Sequence, residues 1–148
     1  MNELRELYRE VILDHNREPR NFGELAEADH VVEGVNPLCG DKMTLYVKLR
    51  GGIIEDVRFK GSGCAISVAS SSLMTERVKG RPIAATLDLV AEVHEMLTGR
   101  ADEPGENMEK LAALAGVREF PSRVKCASLA WHALKAALTG ADKRVSTE

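Results

Sequence analysis

Met43-Thr44-Leu45-Tyr46-Val47-Lys48-Leu49-Arg50-Gly51-Gly52-Ile53-Ile54-Glu55-Asp56-Val57-Arg58-Phe59 is the stretch that decides the fold. Met43, Leu45, Val47 and Leu49 alternate with polar or amphipathic residues, the period-two pattern of a strand with one face in a core. Two glycines then suit a tight hairpin turn that needs positive φ. Ile53, Val57 and Phe59 are placed on one face of the returning strand. Upstream, His30-Val31-Val32-Glu33-Gly34-Val35 reads as a shorter strand. The expectation is an α+β chain: a three-stranded antiparallel sheet with one wet face, packed against several helices in a single domain spanning 1–148.

Helices precede and follow this sheet in the chain. Leu4, Leu7, Tyr8, Val11 and Ile12 recur at helical spacing, so a helix is predicted over residues 3–15, with Asn2 as its cap. It should end near His15-Asn16, ahead of Pro19, and residues 19–23 form a turn. Residues 65–78 and 83–97 read as two further helices. Gly80-Arg81-Pro82 separates them, and Pro82 sits in the first turn of the second, whose apolar residues include Leu87, Val90, Ala91 and Met96. The Gly- and Pro-containing stretch 99–105 reads as a loop, and 108–115 as a short helix closed by Gly116. A last helix is expected from Ser122, its cap, to about Leu138, turning Ala127, Ala130, Trp131, Leu134 and Leu138 inward. Residues 141–148 are polar and are expected to fray.

Composition narrows the function classes. The 148 residues carry 29% charged and 44% hydrophobic side chains and a net charge of −3, without the basic excess of a general nucleic-acid binder. No apolar run approaches the roughly 20 residues of a membrane span. The charged start Met1-Asn2-Glu3-Leu4-Arg5-Glu6 lacks a signal-peptide core, so a cytoplasmic protein is expected, with neither nucleic acid nor membrane as partner.

Three cysteines cannot all pair within one chain, and in a reducing compartment they are free, catalytic or metal-bound. Taken singly, a cysteine is more often a small buried hydrophobe than a ligand. Here all three fall at punctuation points. Cys39 follows Asn36-Pro37-Leu38 and is separated from Asp41 only by Gly40, so a turn over residues 38–41 would bring thiol and carboxylate together. Cys64 ends Gly61-Ser62-Gly63 and stands at the start of a helix, where the dipole favours a thiolate. Cys126 lies in the first turn or so of the last helix. Three sulfurs and a carboxylate are a donor set suited to tetrahedral zinc.

Four histidines compete for the fourth position. His132 lies about 240° around its helix from Cys126, His94 has no cysteine near it in sequence, and His30 begins a strand beyond Val35. His15, beside Asp14, reads first as part of a polar helix end. Asp41 is therefore the preferred fourth ligand. The serines Ser67, Ser70, Ser71 and Ser72 have no evident base and read as small residues that permit close packing.

These residues carry a resemblance. LYREVILDHNREPRNFG (7–23), NPLCGDKMTLYVKL (36–49), GSGCAISVASSSLMTE (61–76) and RVKCASLAWHAL (123–134) resemble, in order, the IscU/SufU family of iron–sulfur cluster assembly proteins, which is NifU N-terminal-like. The chain is more similar to the SufU branch. Lys125 stands where the scaffold branch has histidine, residues 99–120 look like an extra SufU-type segment, and Phe120-Pro121-Ser122-Arg123-Val124 diverges from the scaffold branch's LPPVK chaperone motif.

The resemblance implies Cys39, Asp41, Cys64 and Cys126 as Zn²⁺ ligands and Cys39 as acceptor of persulfide sulfur from a cysteine desulfurase. In the SufU branch a histidine of the partner enzyme replaces that cysteine on the metal. The resemblance thus implies a sulfurtransferase-like accessory to the desulfurase rather than a stand-alone enzyme, passing sulfur to a downstream cluster scaffold or apo-protein acceptor. The alternative is a scaffold holding iron or a [2Fe–2S] cluster on the same residues, and a third reading is a structural zinc site in a binding module. Partner contacts are expected from the loop 14–23, through His15, Arg20 and Asn21, and from Arg123 and Lys125 beside the last cysteine.

Overall fold

The computed structural model describes residues 2–99, 105–140 and 143–147. The elements run α1 (Asn2–Arg17), β1 (His30–Asn36), β2 (Asp41–Arg50), β3 (Ile53–Ser62), α2 (Ala65–Val78), α3 (Ile83–Leu97), a 3₁₀ segment (Glu106–Glu119), α4 (Pro121–Thr139) and β4 (Arg144–Ser146). The sheet has four strands in the order β3-β2-β1-β4. β1, β2 and β3 form the antiparallel meander expected from the alternation, with Gly51 and Gly52 at φ 58° and 79° in the hairpin. β4 corrects the expectation of three strands and a frayed tail: it pairs parallel with β1, Gly34 opposite Val145. Val145 packs on the core, which gives this short polar segment a reason to order.

The hairpin contains a second correction. Lys48 faces Asp56 and Leu49 faces Ile54, so Glu55 is an extra residue on β3. That bulge shifts the pleat. Ile54 becomes buried beside Val57 and Phe59, while Ile53 is left 43% exposed.

α2 and α4 lie on the core face of the sheet and against each other; α1 packs on α2, and α3 on α4. α4 is buried almost all round, from Cys126 to Ala137. It comes close to β1 at Gly34, where an added Cβ would lie 3.1 Å from Leu129 Cδ1 and the leucine would have to give by a few tenths of an ångström. The serines of α2 make polar seams between helices. Ser70 Oγ donates to Ala127 C=O at 2.6 Å and accepts the Trp131 indole N–H at 3.1 Å, while Ser72 Oγ lies 2.7 Å from His15 Nδ1.

Local departures from the expected elements have simple causes. α1 continues to Arg17, and its inward stripe is Tyr8, Val11, Ile12 and His15; Leu7 falls off it, 58% exposed. In α3, Pro82 is the cap, and the buried face is Thr86, Leu89, Val90, Val93, Met96 and Leu97, with Leu87 half-buried and Ala91 exposed. The predicted helix 108–115 is 3₁₀, is broken at Glu109 (φ 50°) and runs past Gly116 to Glu119. α4 starts one residue earlier than expected, with Phe120 as the cap and Pro121 in its first turn, so Ser122 lies inside the helix. Most of the expected loop 99–105 lies outside the described residues. Among the described residues no helix is long and apolar enough to cross a membrane.

Candidate metal centre

The site lies at the end of the sheet where β1 turns into β2. Asn36 and Asp41 are the last paired residues of the two strands, and Pro37, Leu38, Cys39 and Gly40 connect them. Asp41 is therefore a strand residue, not part of the turn. It continues the buried row Met43, Leu45 and Val47 to the sheet's edge and is itself fully buried. Gly40, at φ 71°, lets the chain enter the strand while Cys39 stays on the exposed tip.

The sulfur and carboxylate ligand atoms of Cys39, Asp41 and Cys126 lie within 4.8 Å of one another. Ligands 2.0–2.3 Å from one tetrahedral ion lie roughly 3.5–4 Å apart, so this triangle is of the right size. Its donors, two soft sulfurs and an oxygen, suit zinc or iron better than the hard cations. No histidine belongs to it among the described residues. His15 is buried against Ser72, and the rings of His94 and His132 face each other at 6.2 Å on α3 and α4.

Cys64 stands against Cys126 but outside that triangle. It is the N-cap of α2, and its sulfur accepts the Ser67 N–H at 3.4 Å. Its own N–H donates to Asp41 Oδ1 at 2.9 Å, which fixes the strand-to-helix turn on the carboxylate. Gly63 makes this approach possible, because a Cβ there would sit 2.5 Å from Asp41 Oδ1. Cys126 is the sixth residue of α4, just beyond the first turn, and is 2% exposed. Burial, followed by the hydrogen-bonding groups of Cys39, Asp41 and Cys64, pushes its thiol far above the ordinary range. A cation is the partner that would hold this sulfur as thiolate.

Two residues that shape the site were missed by sequence reasoning. Gly63 is one. The other is Asn36, fully buried, whose Nδ2 donates to Asp41 Oδ2 at 3.1 Å and to Cys126 Sγ at 3.4 Å. Its Oδ1 has no hydrogen-bond partner among the described residues, a cost of about 1–3 kcal/mol for a buried acceptor. Its signal was the core-facing row Val32, Gly34, Asn36, which ends beside Asp41.

The residues expected to contact a partner divide. His15 is 1% exposed and faces inward. Arg20 pairs with Asp14 and its N–H donates to Ser72 Oγ; Asn21 donates to Thr75 Oγ1, and its carbonyl accepts the Phe59 N–H. The loop 14–23 thus ties α1 to α2 and to the sheet edge. Arg123 is exposed over the Phe120 ring at 4.6 Å, and Lys125 is half-buried.

Comparison with known proteins agrees with this picture. The family described as "NifU-like N terminal domain" matches residues 7–127. The chain belongs to the IscU/SufU family. It is an iron–sulfur cluster assembly protein with a candidate metal-binding cysteine site. It is 44% identical to the zinc-dependent sulfurtransferase SufU of Bacillus subtilis (strain 168), over 87% of each chain. It is also 41% identical to the iron–sulfur cluster assembly scaffold protein IscU of Streptococcus pyogenes serotype M1, over 93% of this chain and 86% of that one. Among solved structures, a candidate iron–sulfur cluster assembly scaffold protein for the SUF system from Fervidobacterium islandicum AW-1 superposes with a TM-score of 0.81 at 37% identity, covering 87% of this chain and 94% of that one.

Proposed function

We propose that this chain is a zinc-dependent sulfur acceptor, working with a cysteine desulfurase in the cytosol, and that Cys39 carries the sulfur. The observation that carries this reading is the gradient of exposure across one donor set: Cys39 exposed, Cys64 intermediate, Cys126 buried. Similarity to the zinc-dependent sulfurtransferase SufU of Bacillus subtilis supports the choice of metal. Cys39, Asp41, Cys64 and Cys126 are the proposed ligands. Bound zinc would supply charge that keeps the sulfurs deprotonated near neutral pH, with no redox chemistry of its own.

The chain's own residues do the rest. The exposed tip presents Cys39 to a partner, and a histidine of the desulfurase would stand in for it among the residues that hold the metal. The freed thiolate attacks the terminal sulfur of the desulfurase persulfide. A new S–S bond forms on Cys39, the donor's S–S bond breaks, and the donor cysteine leaves as thiolate; no external oxidant or reductant is needed. Asp41, Cys64 and Cys126 stay in place, held by the turn hydrogen bonds and by the burial of α4.

The test is incubation of the zinc-loaded protein with a cysteine desulfurase and free cysteine, followed by mass spectrometry. Wild type should gain one sulfur atom on Cys39 and stimulate turnover. A Cys39→Ala variant that still accepts sulfur and stimulates the enzyme would sink the proposal.

A second reading, a [2Fe–2S] scaffold passing clusters to apo-proteins, is favoured by the comparable identity to the scaffold IscU of Streptococcus pyogenes. Lys125 counts against it, because an ammonium cannot replace an imidazole as cluster ligand. Anaerobic purification separates the two: stoichiometric zinc without visible cluster absorption supports the acceptor.

A further inference from the structure

Asn36 makes a pattern that packing alone does not explain. It lies at the buried end of β1, directly across from Asp41. A primary amide has two N–H donors on one nitrogen, and both of these reach candidate ligands: Asp41 Oδ2 at 3.1 Å and Cys126 Sγ at 3.4 Å. The carboxylate comes from the strand next in sequence, whereas the sulfur comes from a helix 90 residues away. The amide is thus the bracket between the hairpin and α4. Asp41 is held from its other side too, since Oδ1 accepts the Cys64 N–H. Each carboxylate oxygen keeps a lone pair for a cation, in an orientation fixed by two donors.

We propose that Asn36 is the positioning residue of the metal site, setting the carboxylate of Asp41 and the sulfur of Cys126 at the separation one ion requires. This rests on the metal-site reading above. Side-chain chemistry leaves few substitutes. Aspartate would put a second carboxylate opposite Asp41 and remove both donors, serine offers one donor, and alanine offers none. That Oδ1 has no partner among the described residues fits this reading, because the amide is oriented by what its nitrogen serves.

The experiment is a Co²⁺ titration with chelator competition on the full chain, comparing wild type with Asn36→Ala and the near-isosteric Asn36→Asp. Thr86→Val serves as control, removing a buried hydroxyl that bonds to Pro82 C=O in α3. Binding is read by affinity and by the positions of the thiolate charge-transfer and d–d bands. Both Asn36 variants should bind Co²⁺ about 10–100-fold more weakly, with displaced d–d bands, while Thr86→Val keeps the wild-type spectrum whatever its stability. Either folded variant binding with wild-type affinity and unshifted bands overturns the assignment. So does unfolding of both variants that saturating Zn²⁺ does not reverse, since the residue then serves the fold alone. Wild type with no thiolate-to-Co²⁺ band removes the metal-site reading and this assignment with it, a result distinct from a difference confined to the variants.

Discussion

Asp41 accepts the backbone N–H of Cys64 at 2.9 Å, so one carboxylate both faces the sulfurs of Cys39 and Cys126 and anchors the turn that carries the third cysteine. The geometry of the candidate ligands and the entry into α2 are therefore set by the same atom pair. A disturbance of that pair should be felt in metal binding before it is felt in the fold.

Gly63→Ala tests this coupling. The added methyl would lie 2.5 Å from Asp41 Oδ1, so the carboxylate must move. Zinc affinity should fall about 10–100-fold, the scale of a disturbed ligand support, while far-ultraviolet circular dichroism stays near wild type. Chelator competition measures the first and a spectrum the second; unchanged affinity refutes the coupling.

Ser70→Ala should destabilise the chain by about 1–3 kcal/mol, because it leaves the N–H of buried Trp131 without its acceptor. Trp131 is the single tryptophan, so urea unfolding followed by its fluorescence reports the loss directly. A shift in midpoint without a change in slope is expected.

Acid should weaken the metal-free fold through His15. Burial, chiefly, together with the Arg20 charge, holds its pKa below the ordinary 6.5, against the opposing pull of Glu76 and Asp14. The unfolded chain then binds protons that the folded chain refuses, so this contribution is complete above about pH 6.5 and is lost as pH falls through and below it. Urea midpoints at pH 7, 6 and 5 should decline, with a shallower decline in His15→Gln. Some slope should persist, since His132 is also shifted downward, mainly by burial and then by His94. An identical slope in the variant would show that His15 is not the group.

Deleting residues 143–148 should strip β1 of its parallel neighbour. The Glu33 N–H, which donates to Lys143 C=O, should lose protection in hydrogen exchange, whereas amides in the β2–β3 hairpin keep theirs. Uniform loss across the sheet would count against a local role for β4.

Much of this was legible in the residues, for identifiable reasons. Alternation exposed β2 because its two faces differ, and the glycine pair exposed the hairpin because few other residues tolerate positive φ at both positions. The chemistry of Cys39 and Asp41 could be read because two donor types stand two residues apart, with only Gly40 between them. What escaped depended on tertiary context. The bulge at Glu55 exchanges Ile53 for Ile54 without any local mark, and β4 is stabilised by its docking on β1. Asn36 escaped because its partners, a strand neighbour and a distant helix, meet only in the folded chain.

The position of Cys126 has a consequence for synthesis. The turn that bears Cys39 and Asp41 leaves the ribosome before α4 does, and the burial of Cys126 needs α4 packed on the sheet. Until then a growing chain holds Cys39, Asp41 and Cys64 without the buried sulfur of Cys126. An ion that needs the whole candidate set would therefore be held only by the folded chain.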